Sequence, residues 1–229
     1  MQIQGLQKLT LLDYPGRTAC TIFLSGCNFR CPFCHNAPLL TANAADGMGE
    51  EELLAFLKNR QGLLDGVAVT GGEPLLRPEL PALLEKIKAL GYAVKLDTNG
   101  TFPERLEQIV RAGLADYVAM DVKNSPARYA QTVGAVELDL APIDQSVSFL
   151  LCGTVDYEFR TTAVAELHDD ASFLSLADWL AGARRYFIQR FQPRDTVLRA
   201  GLSAPSEAQL HCWAELVRPK IHAVEIRGI

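Results

Sequence analysis

From residue 18 onward, short apolar runs alternate with longer stretches whose apolar positions return every three to four residues. The run TACTIFLS (18–25) reads as a buried strand, and EEELLAFLKNR (50–60) as an amphipathic helix. Further strands are expected at 66–70, 92–97, 116–123, 157–164, 186–191 and 221–226. Helices are expected at 78–90, 103–113, 172–185 and 203–219. Pro103 opens the third helix and Gly113 stands just past its end, the arrangement that helix termini favour. Ile143, Val147, Leu150 and Leu151 form one more helical face, closed by Gly153. The stretch 124–141 is less regular and reads as loop with a short helix. Six strand–helix units and a closing strand predict a parallel sheet with right-handed crossovers. A closed eightfold barrel typically uses about 250 residues. The 229 residues therefore predict an α/β fold, an open partial (β/α)6 barrel with parallel strands, in a single domain spanning 1–229. In such a fold, chemistry belongs to the loops after the strands, at their C-terminal ends.

Composition adds exclusions. With 48% hydrophobic and 21% charged residues, the chain can build an ordinary core. A net charge of −5 argues against a non-specific nucleic-acid binder. No apolar run approaches the roughly 20 residues of a membrane helix. The opening MQIQGLQKLTLLDYPGR lacks the basic-then-apolar layout of a signal peptide, so a cytoplasmic location is expected, with neither nucleic acid nor membrane as partner. No GxxxxGK[ST] or GxGxxG motif supports a nucleotide-hydrolysing or dinucleotide-dependent activity.

Six cysteines stand at 20, 27, 31, 34, 152 and 212. Cys27, Cys31 and Cys34 crowd the loop after the first strand in the spacing C-x3-C-x2-C, and such a cluster in a reducing compartment points to metal or redox chemistry. Thiolates suit both iron–sulfur clusters and zinc. A [4Fe–4S] cluster held by three cysteines keeps one iron open, as a catalytic metal does for its substrate. A structural zinc site would recruit His35, although Cys34 and His35 are adjacent and zinc ligands usually stand two to four apart. Cys20, Cys152 and Cys212 are expected simply to pack, and His168, His211 and His222 share no ligand spacing.

C-x3-C-x2-C with an aromatic, Phe33, before the last cysteine resembles the signature of radical S-adenosylmethionine enzymes. The resemblance implies that Cys27, Cys31 and Cys34 hold a [4Fe–4S] cluster whose fourth iron is chelated by S-adenosylmethionine. One electron then cleaves the sulfonium to methionine and a 5′-deoxyadenosyl radical that abstracts hydrogen from the substrate. It also implies a full or partial (β/α) barrel. Later strand ends carry further matches. Gly71-Gly72-Glu73-Pro74 is similar to the family's GGEP motif, which contacts the methionine amino group; Gly lets backbone approach closely and a carboxylate accepts from an ammonium. Asp97-Thr98-Asn99-Gly100 resembles a segment of the family's activating enzymes that contacts the methionine end of the cofactor, and Asp121-Val122-Lys123 resembles a DxK element whose Lys reaches S-adenosylmethionine. Arg160 is expected to meet the cofactor's carboxylate or Glu73. Phe33, His35 and Asn36 complete the expected cofactor contacts. Related activases place a histidine at the end of the sixth strand, where this chain has Gln192.

The opening Leu12-Asp13-Tyr14-Pro15-Gly16, the triplet Cys34-His35-Asn36 and the segment YEFRTT (157–162) most resemble activases of glycyl-radical enzymes, in particular those of anaerobic ribonucleotide reductase. That implies a glycyl-radical enzyme as protein substrate and a flavodoxin or ferredoxin as electron donor. A small-molecule radical enzyme, such as a deazaguanine-forming synthase, is the alternative; those usually follow the last cysteine with Asp-Thr, not His35-Asn36. A non-enzymatic iron–sulfur or zinc protein is the third reading.

Overall fold

The structure, a computed structural model, describes residues 1–40 and 47–229. Its short elements β1 (Gln2–Ile3) and β4 (Met48–Gly49) form a two-stranded antiparallel ribbon. The main sheet begins with β2 (Gly5–Thr10) and β3 (Ala19–Leu24). It then alternates with helices: α1 (Glu50–Lys58), β5 (Gly66–Gly71), α2 (Leu80–Ala89), β6 (Ala93–Thr98), α3 (Pro103–Arg111) and β7 (Tyr117–Asp121). Next come α4 (Tyr129–Val133), α5 (Ala141–Leu151), β8 (Asp156–Ala163), α6 (Asp170–Trp179), β9 (Tyr186–Arg190), α7 (Glu207–Val217) and β10 (Val224–Arg227). The eight strands lie in the order β10-β9-β8-β7-β6-β5-β3-β2. Every neighbouring pair is parallel except β2 with β3. The ends β10 and β2 do not pair, so the barrel is open, as the sequence predicts.

Strand β2 lies outside the predicted rhythm. It is an edge strand with a register shift between Gln7 and Thr10, and Lys8 and Leu9 face solvent, so its hydrophobic alternation is weak. Two helices are shorter than expected. The segment predicted at 172–185 ends at Trp179, because Gly182 at φ 85° turns the chain toward β9. The segment predicted at 203–219 starts only after Ser206, whose hydroxyl caps Gln209 N at 3.2 Å. The irregular stretch holds α4, ended by Gly134 at φ 73°.

The two faces of the sheet differ in chemistry. Outward side chains such as Ile22, Leu24, Val67, Val69, Leu96, Val118 and Phe159 form one core with Leu53, Leu57, Leu84, Leu106 and Trp213 of the helices. Burying such a side chain stabilises by about 1.5–3 kcal/mol. Inward positions, which alternate with these, carry Thr21, Thr70, Lys95, Asp97, Asp121, Glu158, Arg160 and Thr162. At the N-terminal end of the strands, the 12–16 turn plugs the interior. Tyr14 is buried against Tyr117 with ring centroids 6.1 Å apart, and Glu158 accepts from Tyr117 Oη at 2.9 Å and from Arg227 at 3.0 and 3.1 Å.

At the other end, Gly71 and Gly72 bring the turn after β5 into direct contact with the end of β3. Gly71 has φ 121°, and a Cβ on it would lie 2.2 Å from Leu24 O; a Cβ on Gly72 would lie 1.9 Å from Gly26 O. Gly72 N and Glu73 N donate to Leu24 O and Gly26 O at 2.9 and 2.8 Å. We therefore expect Gly72→Ala to destabilise the apo protein by about 3 kcal/mol or more, through backbone overpacking that has no flexible side chain to yield. Gly62→Ala, at φ 78° in open space, should cost only about 1 kcal/mol. Urea unfolding of both variants checks the contrast.

Candidate active site

The turn after β3 carries the cysteine loop, and its backbone is tied down at many points. Gly26 N donates to Leu39 O at 2.9 Å, Cys34 N to Cys31 O at 3.0 Å and Arg30 N to Val133 O at 3.0 Å. The Arg77 guanidinium clamps Ser25, donating to its carbonyl at 2.7 and 3.2 Å and to its hydroxyl at 2.7 Å. From the far end of the chain, Arg199 N donates to Pro32 O at 3.0 Å. An irregular loop is thereby given fixed partners for its polar groups.

Cys27, Cys31 and Cys34 are free thiols, and all three edge one cavity of about 390 Å³ at the C-terminal ends of the strands. That volume falls in the range of small-molecule and cofactor sites. Phe29 N donates to Cys27 Sγ at 3.4 Å, and Asn99 Nδ2 approaches it at 3.9 Å. Burial pushes the Cys31 thiol up to about 12 and raises Cys27 and Cys34 as well. Among the described residues, no three of His, Cys, Asp and Glu converge closely enough to share one ion. His35, the fourth ligand of the zinc alternative, is engaged elsewhere: its ring stacks on Phe191 at 5.5 Å and its Nε2 lies 2.8 Å from Gln192 O. The donor set thus fits a multi-iron cluster, in which each thiolate has its own iron, better than a single zinc.

The strand ends opposite the loop supply charge. Arg160 of β8 bridges Asp121 at 2.8 Å and Asp97 at 3.2 Å; Lys123 pairs with Asp121 at 2.9 Å, and Lys95 pairs with Asp97. Burial works to raise both carboxyls, but Arg160, with Lys95 on one side and Lys123 on the other, pulls Asp97 and Asp121 below the usual carboxylate range. Burial likewise disfavours the charge of Lys123, yet Asp121 holds its ammonium above the ordinary value. The expected link between Arg160 and Glu73 is absent: β8 and β5 are separated by β7 and β6, so Arg160 meets the carboxylates of its nearer neighbours.

Glu73 itself is fully buried and does not line the cavity. Its Oε1 accepts from Leu75 N at 3.1 Å and Thr98 Oγ1 at 2.9 Å, and Oε2 accepts from Asn99 N at 2.6 Å. Burial pushes its carboxyl up to about 7 against these three donors. The carboxylate joins the turns after β5 and β6, whereas Gly71 and Gly72 reach the cavity, with Asn36 Nδ2 donating to Gly71 O at 2.9 Å.

The cavity gathers the remaining expected residues, namely Phe33, His35, Asn36, Asp97, Thr98, Asn99, Asp121, Lys123 and Arg160. Gln192 is not among its lining; the Gln192 amide lies 3.4 Å from Gly228 O, and Gln189, three residues earlier, faces in instead. Gln7, Asp13, Thr21, Phe23, Thr70 and Thr162 also line it, unanticipated. The inward parity of Arg160 on its strand was the signal for Thr162, since alternate strand residues share a face. Cys20 is buried as expected, but Cys152 and Cys212 are exposed: one caps α5 at its C-terminus, and the other sits on the solvent side of α7. His168 is buried, with Nδ1 3.2 Å from Val164 N and Nε2 3.0 Å from Lys123 O, so it ties the segment after β8 to the one after β7.

Comparison with known proteins gives this geometry its context. Residues 21–150 match the model of the Radical SAM superfamily. A Methanocaldococcus jannaschii protein, provisionally named a glycyl-radical enzyme activating enzyme, is 33% identical over 99% of this chain and 96% of its own. The pyruvate formate-lyase-activating enzyme of Clostridium pasteurianum is 33% identical over 54% of this chain, and the 7-carboxy-7-deazaguanine synthase of Hyperthermus butylicus 37% identical over 50%. The matches span about half of each of those two relatives, 52% and 48%. In fold, Streptococcus suis SuiB bound to S-adenosylmethionine aligns with a TM-score of 0.71 at 11% identity, covering 91% of this chain and 52% of that one. The chain belongs to the radical S-adenosylmethionine superfamily, enzymes that use a [4Fe–4S] cluster and S-adenosylmethionine.

Proposed function

We propose that this chain, as a single domain over 1–229, activates a glycyl-radical enzyme in the cytoplasm by removing hydrogen from a glycine Cα. Its protein substrate is anaerobic ribonucleotide reductase, and a flavodoxin or ferredoxin supplies the electron. The observation that carries the reading is one polar cavity shared by three free thiols and a ladder of alternating charges. The end-to-end match with a relative named for glycyl-radical activation supports it, as do the LDYPG and YEFRTT segments.

In this reading Cys27, Cys31 and Cys34 hold three irons of the cluster and leave the fourth for S-adenosylmethionine. Bound together, cluster and S-adenosylmethionine supply a one-electron cleavage that yields a hydrogen-abstracting 5′-deoxyadenosyl group. The residues of the chain bind and orient. Lys123 and Arg160 face the carboxylate of the zwitterion, while the Gly71 carbonyl and the Asp121 and Asp97 carboxylates answer its ammonium. Thr98 and Asn99 shape the same wall, with Glu73 bracing them from behind. Phe33, His35 and Asn36 hold the cysteine side of the cavity.

The half-length matches to deazaguanine synthases favour a second reading, a small-molecule radical enzyme. One anaerobic experiment separates the two. Reduced, reconstituted protein is mixed with S-adenosylmethionine and purified anaerobic ribonucleotide reductase, and EPR spectra are recorded. A glycyl-radical doublet should grow as the reduced-cluster signal falls. S-adenosylmethionine cleavage without the doublet rejects this partner, and accumulation of 7-carboxy-7-deazaguanine from its precursor establishes the alternative.

Replacing any one of Cys27, Cys31 and Cys34 with Ala should abolish S-adenosylmethionine cleavage, a loss of at least about a thousandfold, because a missing ligand leaves the centre unassembled. The combined Cys20→Ala, Cys152→Ala, Cys212→Ala variant should keep wild-type iron content. Iron analysis and product chromatography read both outcomes; iron loss in the combined variant would assign the ligands differently.

A further inference from the structure

We propose that Gln189 and Thr162 hold the backbone of the glycine-bearing segment of the protein substrate, near the open side of the barrel. This rests on the reading that the chain takes hydrogen from a glycine of a partner enzyme.

A glycine gives an enzyme little to grip. It has no side chain, so recognition of the reacting residue falls to an amide N–H and a carbonyl, both neutral. The site must therefore keep a neutral donor and acceptor free once its own pairs are made. Most of the polar lining of the cavity is already spent. Asp97, Asp121, Lys123 and Arg160 answer one another. Thr21 donates to Asp13 at 2.6 Å, Thr98 to Glu73 at 2.9 Å and Asn36 to Gly71 O at 2.9 Å. Gln7 Nε2 donates to Leu9 O at 3.2 Å. Among the described residues, the Gln189 carboxamide and the hydroxyls of Thr70 and Thr162 line the cavity without a hydrogen-bond partner. Thr70 immediately precedes Gly71 and belongs to the cofactor wall. Thr162 and Gln189 instead stand side by side, half-buried, as register partners in the parallel ladder of β8 and β9.

Only β10 separates β9 from the open edge of the sheet. Its residue in register with Gln189 is Arg227, whose guanidinium is committed to Glu158 at 3.0 and 3.1 Å and stacks over the Phe187 ring at 3.4 Å. Arg227 thus leaves the carboxamide free. Neighbouring strands lie about 4.8 Å apart and an extended chain advances about 3.3 Å per residue, so the two side chains reach peptide groups one or two residues apart. The carboxamide donates to a carbonyl and accepts from an N–H at once, and the hydroxyl adds a third bond. Neither carries a charge, which suits a peptide backbone and not the carboxylate of an acidic small molecule.

The test separates grip on the substrate from grip on the cofactor. Reconstituted protein is reduced with dithionite, and the initial rate of glycyl-radical formation on anaerobic ribonucleotide reductase is read by EPR. Reductase and S-adenosylmethionine concentrations are varied in turn. Gln189→Met, close in size but without the amide, should raise the KM for reductase about tenfold, the loss of two neutral hydrogen bonds. The KM for S-adenosylmethionine should stay within about twofold. Thr162→Val should raise the reductase KM about threefold, and Thr162→Ser, which keeps the hydroxyl, should restore it. An unchanged reductase KM in Gln189→Met overturns the proposal, as does an increase confined to the KM for S-adenosylmethionine, which would assign the carboxamide to the cofactor. If Gln189→Met fails to load iron, the threonine pair decides, and equal reductase KM values in Thr162→Val and Thr162→Ser overturn it. A wild-type protein that cleaves S-adenosylmethionine yet leaves the reductase without a radical would refute the functional reading itself, and this assignment with it.

Discussion

Charges drawn into the mouth of a barrel need partners, and this fold sets a row of them there. Lys95, Asp97, Arg160, Asp121 and Lys123 alternate in sign across three neighbouring strands, so each charge has an opposite one beside it; Lys95 is buried, and the other four are part-buried along the cavity. The arrangement depends on register. Asp97 pairs with Ala119, and Asp121 with Arg160, in the parallel ladders, so a one-residue slip of β7 would turn its carboxylate out of the barrel and strand Arg160 in the interior. The apolar outer face fixes that register from the opposite side, because Val118, Met120, Phe159 and Leu96 can serve the core only in this alignment. Core packing and site geometry are therefore two faces of one constraint, the alternation of side chains along a strand.

The cysteine loop obeys a different rule. It has little regular structure, so its shape is borrowed from its surroundings: the glycine pair after β5, the Arg77 clamp and the carbonyl of Val133. Gly71 and Gly72 serve close packing of one backbone on another as well as access to the cavity. Glu73 extends the same bracing to the turn after β6, which is why a carboxylate in a binding motif ends with its oxygens committed to protein donors.

The parallel rhythm was legible because buried parallel strands are apolar and their helices amphipathic, as in 66–70 followed by 78–90. The cysteine loop and the three strand-end motifs were legible because Gly, Cys, Asp and Asn at strand ends have few structural alternatives. Strand β2 escaped notice because an edge strand half in solvent need not alternate. Gln7, Asp13, Thr21 and Gln189 escaped because their contribution is positional: nothing in a glutamine or threonine announces a cavity until the strand parity and the neighbour are known. Glu73 as a partner of Arg160 was a misreading for a related reason. Sequence shows that a charged residue in a strand wants a counter-ion, but the strand order decides which carboxylate is within reach.

The cysteine loop also has a timetable. Its last supports come from the other end of the chain: Gln192 meets His35 across 157 positions, and Arg199 meets Pro32. A ribosome adding about 5–20 residues per second needs roughly 8–30 s to travel from the first of these residues to the last. Throughout that interval the three thiols have emerged while the wall that secures their loop has not been made. The geometry of the cysteine loop is completed only once residue 199 has been made, so a fragment ending before β9 would carry every cysteine of the motif without the support that fixes their loop.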